Sequence, residues 1–98
     1  MLPTLTPENI EPYLNQIFRI KHGSDTVEVI LAECQKLTGT EGKTGQREPF
    51  SLIFLGPRLP ILPQRMYTFD CGQLGSLEIF IVPIGSDNSG TKYEAVFG

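Results

Sequence analysis

Glu78 and Glu94 are the two residues of this chain that come nearest to an enzymatic pair. Two carboxylates facing each other across a sheet can divide acid and base or nucleophile roles, as they do in glycosidases. Both fall near the middle of expected strands, so one face could present them together. The eleven acidic residues are nevertheless scattered singly along the chain. Each fits a solvent-facing strand position beside a cross-strand cation such as Lys92 or Arg65, and catalysis is not the expected role.

His22 is the single histidine, and it lies in a turn cluster, His22-Gly23-Ser24-Asp25. An imidazole that moves protons needs an orienting carboxylate and a nucleophile within hydrogen-bond reach. Asp25 is near in sequence, but no serine in an elbow context and no activated cysteine accompanies it, so an exposed turn histidine is expected. Cys34 and Cys71 are too far apart for a Cys-x-x-Cys metal or redox motif and too few for a disulfide scaffold. Both read as small buried hydrophobes. With one histidine and two distant cysteines, neither a zinc site nor any other metal or cofactor is expected.

Three further motifs fail on mechanism. Leu37-Thr38-Gly39-Thr40-Glu41-Gly42-Lys43-Thr44 resembles a phosphate-binding loop, yet Leu37 stands where the first glycine belongs. A helix must follow such a loop so that its N-H groups face the phosphates, and Gly45-Gln46-Arg47-Glu48-Pro49 cannot begin one. Asp87-Asn88-Ser89-Gly90 starts like a calcium loop but lacks the sixth-position glycine, the terminal glutamate and the flanking helices; it is a turn. Pro60-Ile61-Leu62-Pro63-Gln64-Arg65 fits a Pro-x-x-Pro-x-Arg ligand pattern. Its position between two strands and its apolar content favour a crossover packed over the end of a barrel.

The elements that would position these residues are mostly strands. Thr6 is a good N-cap, Pro7 fits the first helical position and Glu8 suits the positive end of the dipole. Pro12 cannot donate to the carbonyl of Glu8, so one or two turns, broken at Pro12, are expected. Ile10, Tyr13 and Leu14 form the docking stripe. Strands are then expected over Gln16 to Lys21, Thr26 to Leu37, Phe50 to Leu55, Met66 to Cys71, Ser76 to Ile84 and Lys92 to Phe97. Alternation in the second of these slips around Ile30 to Ala32, which predicts a bulge or strong bend near Leu31. Turns are expected at His22 to Asp25, Gly72 to Gly75 and Gly85 to Gly90. Thr38 to Gln46, with Gly39, Gly42 and Gly45, reads as a polar loop and the best candidate for a mobile tip. Pro57, Pro60 and Pro63, three apart, favour polyproline II.

The pattern predicts an all-β domain of about six antiparallel strands, a small barrel or a sandwich, with a short N-terminal helix. Phe50 to Leu55 and Leu77 to Ile84 are apolar on both faces, where a one-sided antiparallel sheet alternates. Something must cover their outer faces: the helix for one, and a closed barrel wall or a subunit interface for the other.

Length and composition bound the remainder. Ninety-eight residues, 40% of them hydrophobic and 19% charged, make one domain spanning residues 1–98. A chain of this size has a thin core, which keeps self-association open. Eight basic against eleven acidic residues, net charge -3, lack the excess that nucleic-acid binders need. The N-terminus has neither the basic nor the apolar region of an export signal, and no run approaches a membrane span. The expectation is therefore a cytoplasmic chain with no nucleic-acid and no membrane partner.

Arg47-Glu48-Pro49-Phe50-Ser51-Leu52-Ile53-Phe54, then Gly56-Pro57, Leu62-Pro63-Gln64 with Tyr67, Leu74-Gly75 with Leu77-Glu78, Val82-Pro83-Ile84-Gly85 and Tyr93-Glu94-Ala95-Val96-Phe97 carry a resemblance. Over most of the chain they resemble the signature of a small bacterial family of unknown function, about one hundred residues long and β-rich. The resemblance supplies no activity. It implies genes lying near those of phage-tail-collar-like proteins, and hence a role in assembling or accompanying a tail-like particle. The motif residues read as scaffold: Pro49 starting a strand, Gly56 and Gly75 in turns, Tyr67 and Phe97 in packing, Pro83 at a strand end or bulge. The loop from Gly39 to Gly45 is where this chain departs from the family pattern.

The expected function is a non-enzymatic structural or interaction module, docking a protein partner or a second copy through its apolar strand faces and Pro-rich crossover. Its candidate surface is Pro57, Pro60, Ile61, Leu62, Pro63, Tyr67 and Tyr93. The alternative is a small-ligand or carbohydrate-binding barrel using Tyr67, Phe69 and Tyr93 at an open end.

Overall fold

The computed structural model describes residues 7–36 and 49–97. The loop expected from Thr38 to Gln46, the phosphate-loop-like stretch from Leu37 to Thr44, the Thr6 cap and Arg47-Glu48 lie outside the described residues. In chain order come a short helix α1 (Pro7–Ile10), a 3-10 turn (Glu11–Tyr13), β1 (Ile17–His22), β2 (Asp25–Lys36), β3 (Phe50–Gly56), β4 (Arg65–Asp70), a second 3-10 turn (Gly72–Leu74), β5 (Ser76–Asp87) and β6 (Gly90–Phe97). The strands pair antiparallel and close on themselves in the order β1-β2-β3-β6-β5-β4. The fold is thus a closed six-strand barrel rather than a sandwich.

Side-chain alternation decides what the barrel encloses, because successive residues of a strand point to opposite faces. Phe18 and Ile20 of β1, Val27, Val29 and Leu31 of β2, Leu52 and Phe54 of β3, Tyr67 and Phe69 of β4, Leu77, Ile79 and Ile81 of β5, and Tyr93 and Ala95 of β6 all point in and are buried. Phe54 lies at the centre of an aromatic contact chain, 5.7 Å from Phe18 and 5.1 Å from Phe69 between ring centroids. Each such side chain contributes about 1.5–3 kcal/mol by leaving water. The interior therefore drives closure.

Two long strands are re-aimed by bulges. In β2 the register against β3 shifts between Leu31 and Glu33, at the place where the sequence alternation slips. Leu31 stays inside, Ala32 is the extra residue, and Cys34 resumes the inward row. In β5 the register against β6 shifts between Pro83 and Gly85, with Ile84 as the extra residue. Proline belongs at such a site because a bulge frees the chain from a ladder hydrogen bond.

The two ends are closed by different devices. At one end α1 and the first 3-10 turn fold over the barrel, placing Ile10 in the core with Tyr13 and Leu14 packed against it. Asn15 makes the turn into β1 in the left-handed region (φ 69°), its N–H donating to Leu31 O at 2.7 Å; asparagine tolerates that conformation better than most residues. At the other end the chain leaves β3 and enters β4 through residues 57–64, with Pro57 and Pro60 sharing a cleft with Arg19 of β1 and Thr26, Val27 and Glu28 of β2. This crossover drops Leu62, fully buried, into the barrel.

Several expectations need correction. The helix covers the barrel's end and not the outer face of a strand. Ser51 and Ile53 on the outer side of β3 are buried, while Phe80 and Ile84 on β5 remain about half exposed. Strand β5 continues to Asp87, which shortens the expected Gly85 to Gly90 turn, because Gly85 still pairs with Lys92 and Ser86 with Thr91. Bends at Arg58, Leu59 and Pro60 and a cis Leu59–Pro60 bond interrupt the expected polyproline II run. Gly56 is not a turn residue: it pairs with Thr91 inside the ladder, and a Cβ there would lie 2.9 Å from Val29 Cγ1.

Gly90 opens β6 with φ 136°, and a Cβ on it would collide with the carbonyl oxygen of Gly56. Both the backbone region and the space exclude a side chain. Gly90→Ala is expected to cost more than about 2 kcal/mol in urea unfolding. Gly23→Ala, at φ 64° in open space, is expected to cost about 1 kcal/mol; equal losses would show that the Gly56 contact does not matter.

Candidate functional site

The crossover end was expected to carry a surface, and the structure divides its seven residues into two groups. Leu62, Tyr67 and Tyr93 are buried, whereas Pro57, Pro60, Ile61 and Pro63 are exposed. The reason is a pair of hydrogen bonds. Tyr93 points inward from β6 and its hydroxyl accepts the N–H of Leu62 at 2.9 Å. Tyr67 points inward from β4 and its hydroxyl donates to the carbonyl of Pro63 at 2.8 Å. A buried Tyr needs a partner for its O–H, and a crossover that has left the ladder needs partners for its backbone. Each satisfies the other. Thr91, also buried, adds a bond to the carbonyl of Arg58 at 3.1 Å.

This closure also removes the open end that Tyr67, Phe69 and Tyr93 were expected to line. Phe69 and Tyr93 have no exposed surface and Tyr67 almost none, so these rings are core and cannot meet a ligand as they stand. The rim of the same end holds His22, whose ring lies 6.1 Å from that of Tyr67, and Arg65, whose guanidinium carbon stands 5.6 Å from the Tyr67 centroid. Burial raises the Tyr67 phenol above its ordinary pKa, with Arg65 pulling the other way. His22 pairs with Asp25 across the β1–β2 hairpin, but no nucleophile joins them.

The two glutamates do not form an acid pair. Glu94 stands opposite Ile53 and Val82, and Glu78 stands opposite Thr68. Glu78 is four residues along β5 from Val82, which at ~3.3 Å per residue offsets the backbones of the two glutamates by roughly 13 Å along the strand. They are not cross-strand neighbours, the arrangement in which one face would present them together. Neither expected cation faces them: Lys92 pairs with Leu55 and Gly85, and Arg65 with Ile81. The cross-strand ion pair present is Arg19 with Glu28, 3.3 Å apart and solvent-exposed, an arrangement worth little.

Cys71 is buried, its thiol 3.8 Å from the carbonyl of Phe69. Burial, reinforced by Asp70, pushes its pKa up to about 12. Cys34 is half-buried and likewise raised, first by burial and then by Glu11. Raised thiol pKa values make poor nucleophiles. Among the described residues no three His, Cys, Asp or Glu side chains converge as metal ligands, and no helix is long and apolar enough to cross a membrane.

The sequence reading flags the outer face of β5 but not the residues of β4 and β6 that join it into a wall. Met66 of β4 and Phe80 of β5 are direct cross-strand partners, 53% and 46% exposed. Continuing the register of Val82 with Glu94 sets Val96, 61% exposed, beside Phe80. The row ends at Ser51 of β3, which pairs with Val96 and whose buried hydroxyl has no hydrogen-bond partner. Half-buried Val82 and exposed Ile84 extend the patch. The two-sided apolarity of β5 was its sequence signal.

A family model described as a domain of unknown function (DUF6916) matches residues 5–97, and the chain belongs to that family. No curated protein matches it, and no solved structure does.

Tyr93→Phe removes the acceptor of the Leu62 N–H inside the barrel end. An unpaired buried donor costs about 1–3 kcal/mol, and urea unfolding of the variant is expected to show that loss with the far-ultraviolet spectrum unchanged. Alkaline pH tests the thiols. An unfolded thiol ionises near 9.0 while folded Cys71 holds its proton to about 12. The unfolded chain then binds fewer protons, so stability falls as pH rises through that interval. Urea midpoints are expected to decline above about pH 9, less steeply in Cys71→Ala.

Proposed function

We propose that this domain is a non-enzymatic protein-interaction module that docks a partner protein on its outer wall, in the setting of a bacterial tail-like assembly. The observation that carries the reading is the exposed row Met66, Phe80 and Val96, extended by Val82 and Ile84. Contiguous apolar surface of this kind on a strand wall marks a binding face more often than scattered single residues do.

Charge supports a partner protein over a second copy. Exposed or half-exposed positions around the row include Glu78, Glu94 and Asp70, against two cations, Lys92 and Arg65, the latter next to Met66. Pairing two such faces about a two-fold axis would bring like carboxylates together, because an isologous interface sets the same patch against itself. A partner with an apolar centre and a basic rim answers both features. Among the described residues, His22, Glu78, Glu94, Cys34 and Cys71 form no pair or cluster suited to catalysis.

A photo-crosslinking side chain placed at position 80, with position 21 on β1 as the control wall, tests this in the native host. The expected result is one discrete adduct from position 80, identified as a tail-particle component, and none from position 21. Equal adducts from both walls, or an adduct only with a second copy, would contradict the reading.

A further inference from the structure

We propose that a groove at the seam between β1 and β4 binds a neutral glycan. The seam is the weakest join of the barrel: β1 pairs with β4 only at Arg19 with Asp70 and Ile20 with Phe69. Ile17 and Phe18 continue β1 beyond the last of these pairs, while the other chain turns away into the 3-10 turn Gly72–Leu74. The space left open is a groove of about 810 Å³, within the usual range of small-ligand sites. Its floor is the start of β1, one wall is the helical segment with Asn9, Pro12 and Tyr13, and the other is the turn from Cys71 to Leu74.

The lining selects the ligand by what it holds and what it lacks. None of the described lining residues carries a charge, and a neutral ligand matches them best. Three carboxamides, from Asn9, Gln16 and Gln73, reach it from all three sides. Each carboxamide offers donors and an acceptor together, the combination that neighbouring sugar hydroxyls require. The side chains of Gln16 and Gln73 have no hydrogen-bond partner among the described residues. Between the amides lie apolar surfaces from Tyr13, Ile17 and Leu74, suited to the C–H faces of a pyranose ring. A purely apolar ligand would leave the carboxamides of Gln16 and Gln73 unpaired. A charged one would find no counter-ion among the described lining residues.

Both walls are held in place before any ligand arrives, which lowers the ordering cost of binding. The Tyr13 ring stands edge-on to buried Phe18, 6.5 Å between centroids at 89°. The N–H of Gln16 donates to Tyr13 O at 3.0 Å, and that of Asn15 to Leu31 O at 2.7 Å. Opposite, Leu74 N–H bonds Cys71 O at 3.1 Å, Gly75 N–H bonds Gly72 O at 2.9 Å, Cys71 N–H bonds Gly75 O at 2.9 Å, and Gly72 N–H bonds the Asp70 carboxylate at 3.2 Å. These bonds fix the turn, and Gln73 is exposed on it.

The test is a titration of the full ¹⁵N-labelled chain with maltotriose, cellotriose, chitotriose and galactobiose. At least one is expected to shift the backbone signals of Tyr13, Gln16, Ile17, Gln73 and Leu74 together with the Gln16 and Gln73 carboxamides. Gln73→Ala, on the surface and outside the core, is expected to weaken that binding about tenfold, the loss of roughly one good hydrogen bond. Lys21→Ala, on the far part of β1, is expected to leave it unchanged. The proposal is overturned if none of the four moves these signals at concentrations of about 20 mM, if the shifts fall elsewhere, or if only glucuronate or an extended peptide fills the groove. Because the Phe80 row lies outside the groove, this result and the crosslinking result can fail separately.

Discussion

An apolar barrel cannot be left open to water at its ends, and the rest of this structure follows from how the ends are sealed. The interior row from Phe18 to Ala95 is hydrophobic throughout, so solvent entering from either mouth would forfeit the burial that drives closure. Ile10 seals one mouth and Leu62 the other, both without exposed surface. Neither plug belongs to a strand. Each is carried by a segment shaped by proline: Pro7 and Pro12 limit the helical segment to a length that fits the mouth, and Pro57, Pro60 and Pro63 frame the crossover. The tyrosine hydroxyls of β4 and β6 then hold the crossover's backbone where the ladder no longer can.

Sealing decides where function can reside. With both mouths occupied, nothing can enter the barrel, and the aromatic residues that look most like a binding platform become structural. What remains is the outside. There the outward positions of β4, β5 and β6 depart from the polar pattern that a solvated wall adopts, and the β1–β4 seam departs from full pairing. These two departures are independent, since one concerns which side chains face out and the other concerns the length of a ladder. They support two separate surfaces on one small domain.

The sequence made the class of fold legible through local signals. Clean alternation at Val27-Glu28-Val29, its slip near Leu31, the break at Pro12 and the place of Pro83 each report a neighbour one or two residues away, and each has its structural counterpart in a strand, a bulge or a broken helix. Barrel against sandwich was not legible, because that choice rests on β1 meeting β4 across some fifty residues. The direction of Tyr67 and Tyr93 was not legible either. A tyrosine fits an exposed binding face or a core position equally until its hydroxyl's partner is known, and here the partners are backbone groups of a distant crossover. The groove escaped for the same reason: Asn9, Gln16 and Gln73 are unremarkable polar residues until closure of the barrel places them around one space.

The seam also connects stability to binding in a way that the outer wall does not. A ligand lodged between the start of β1 and the Gly72–Leu74 turn touches both sides of the shortest ladder in the barrel, so it is bound only while that ladder is closed. Its binding energy is then added to closure, by an amount set by the ratio of ligand concentration to dissociation constant. A partner on the Met66–Phe80 row rests instead on strands joined by the full β4–β5 ladder of six paired residues, whose pairing does not depend on the seam. Local opening at the seam would cost little of that row's geometry, because openings of different parts of a protein have different free energies. Thus the proposed glycan would gain by bridging the weakest join, and the proposed protein partner would meet a rigid face on the continuous wall.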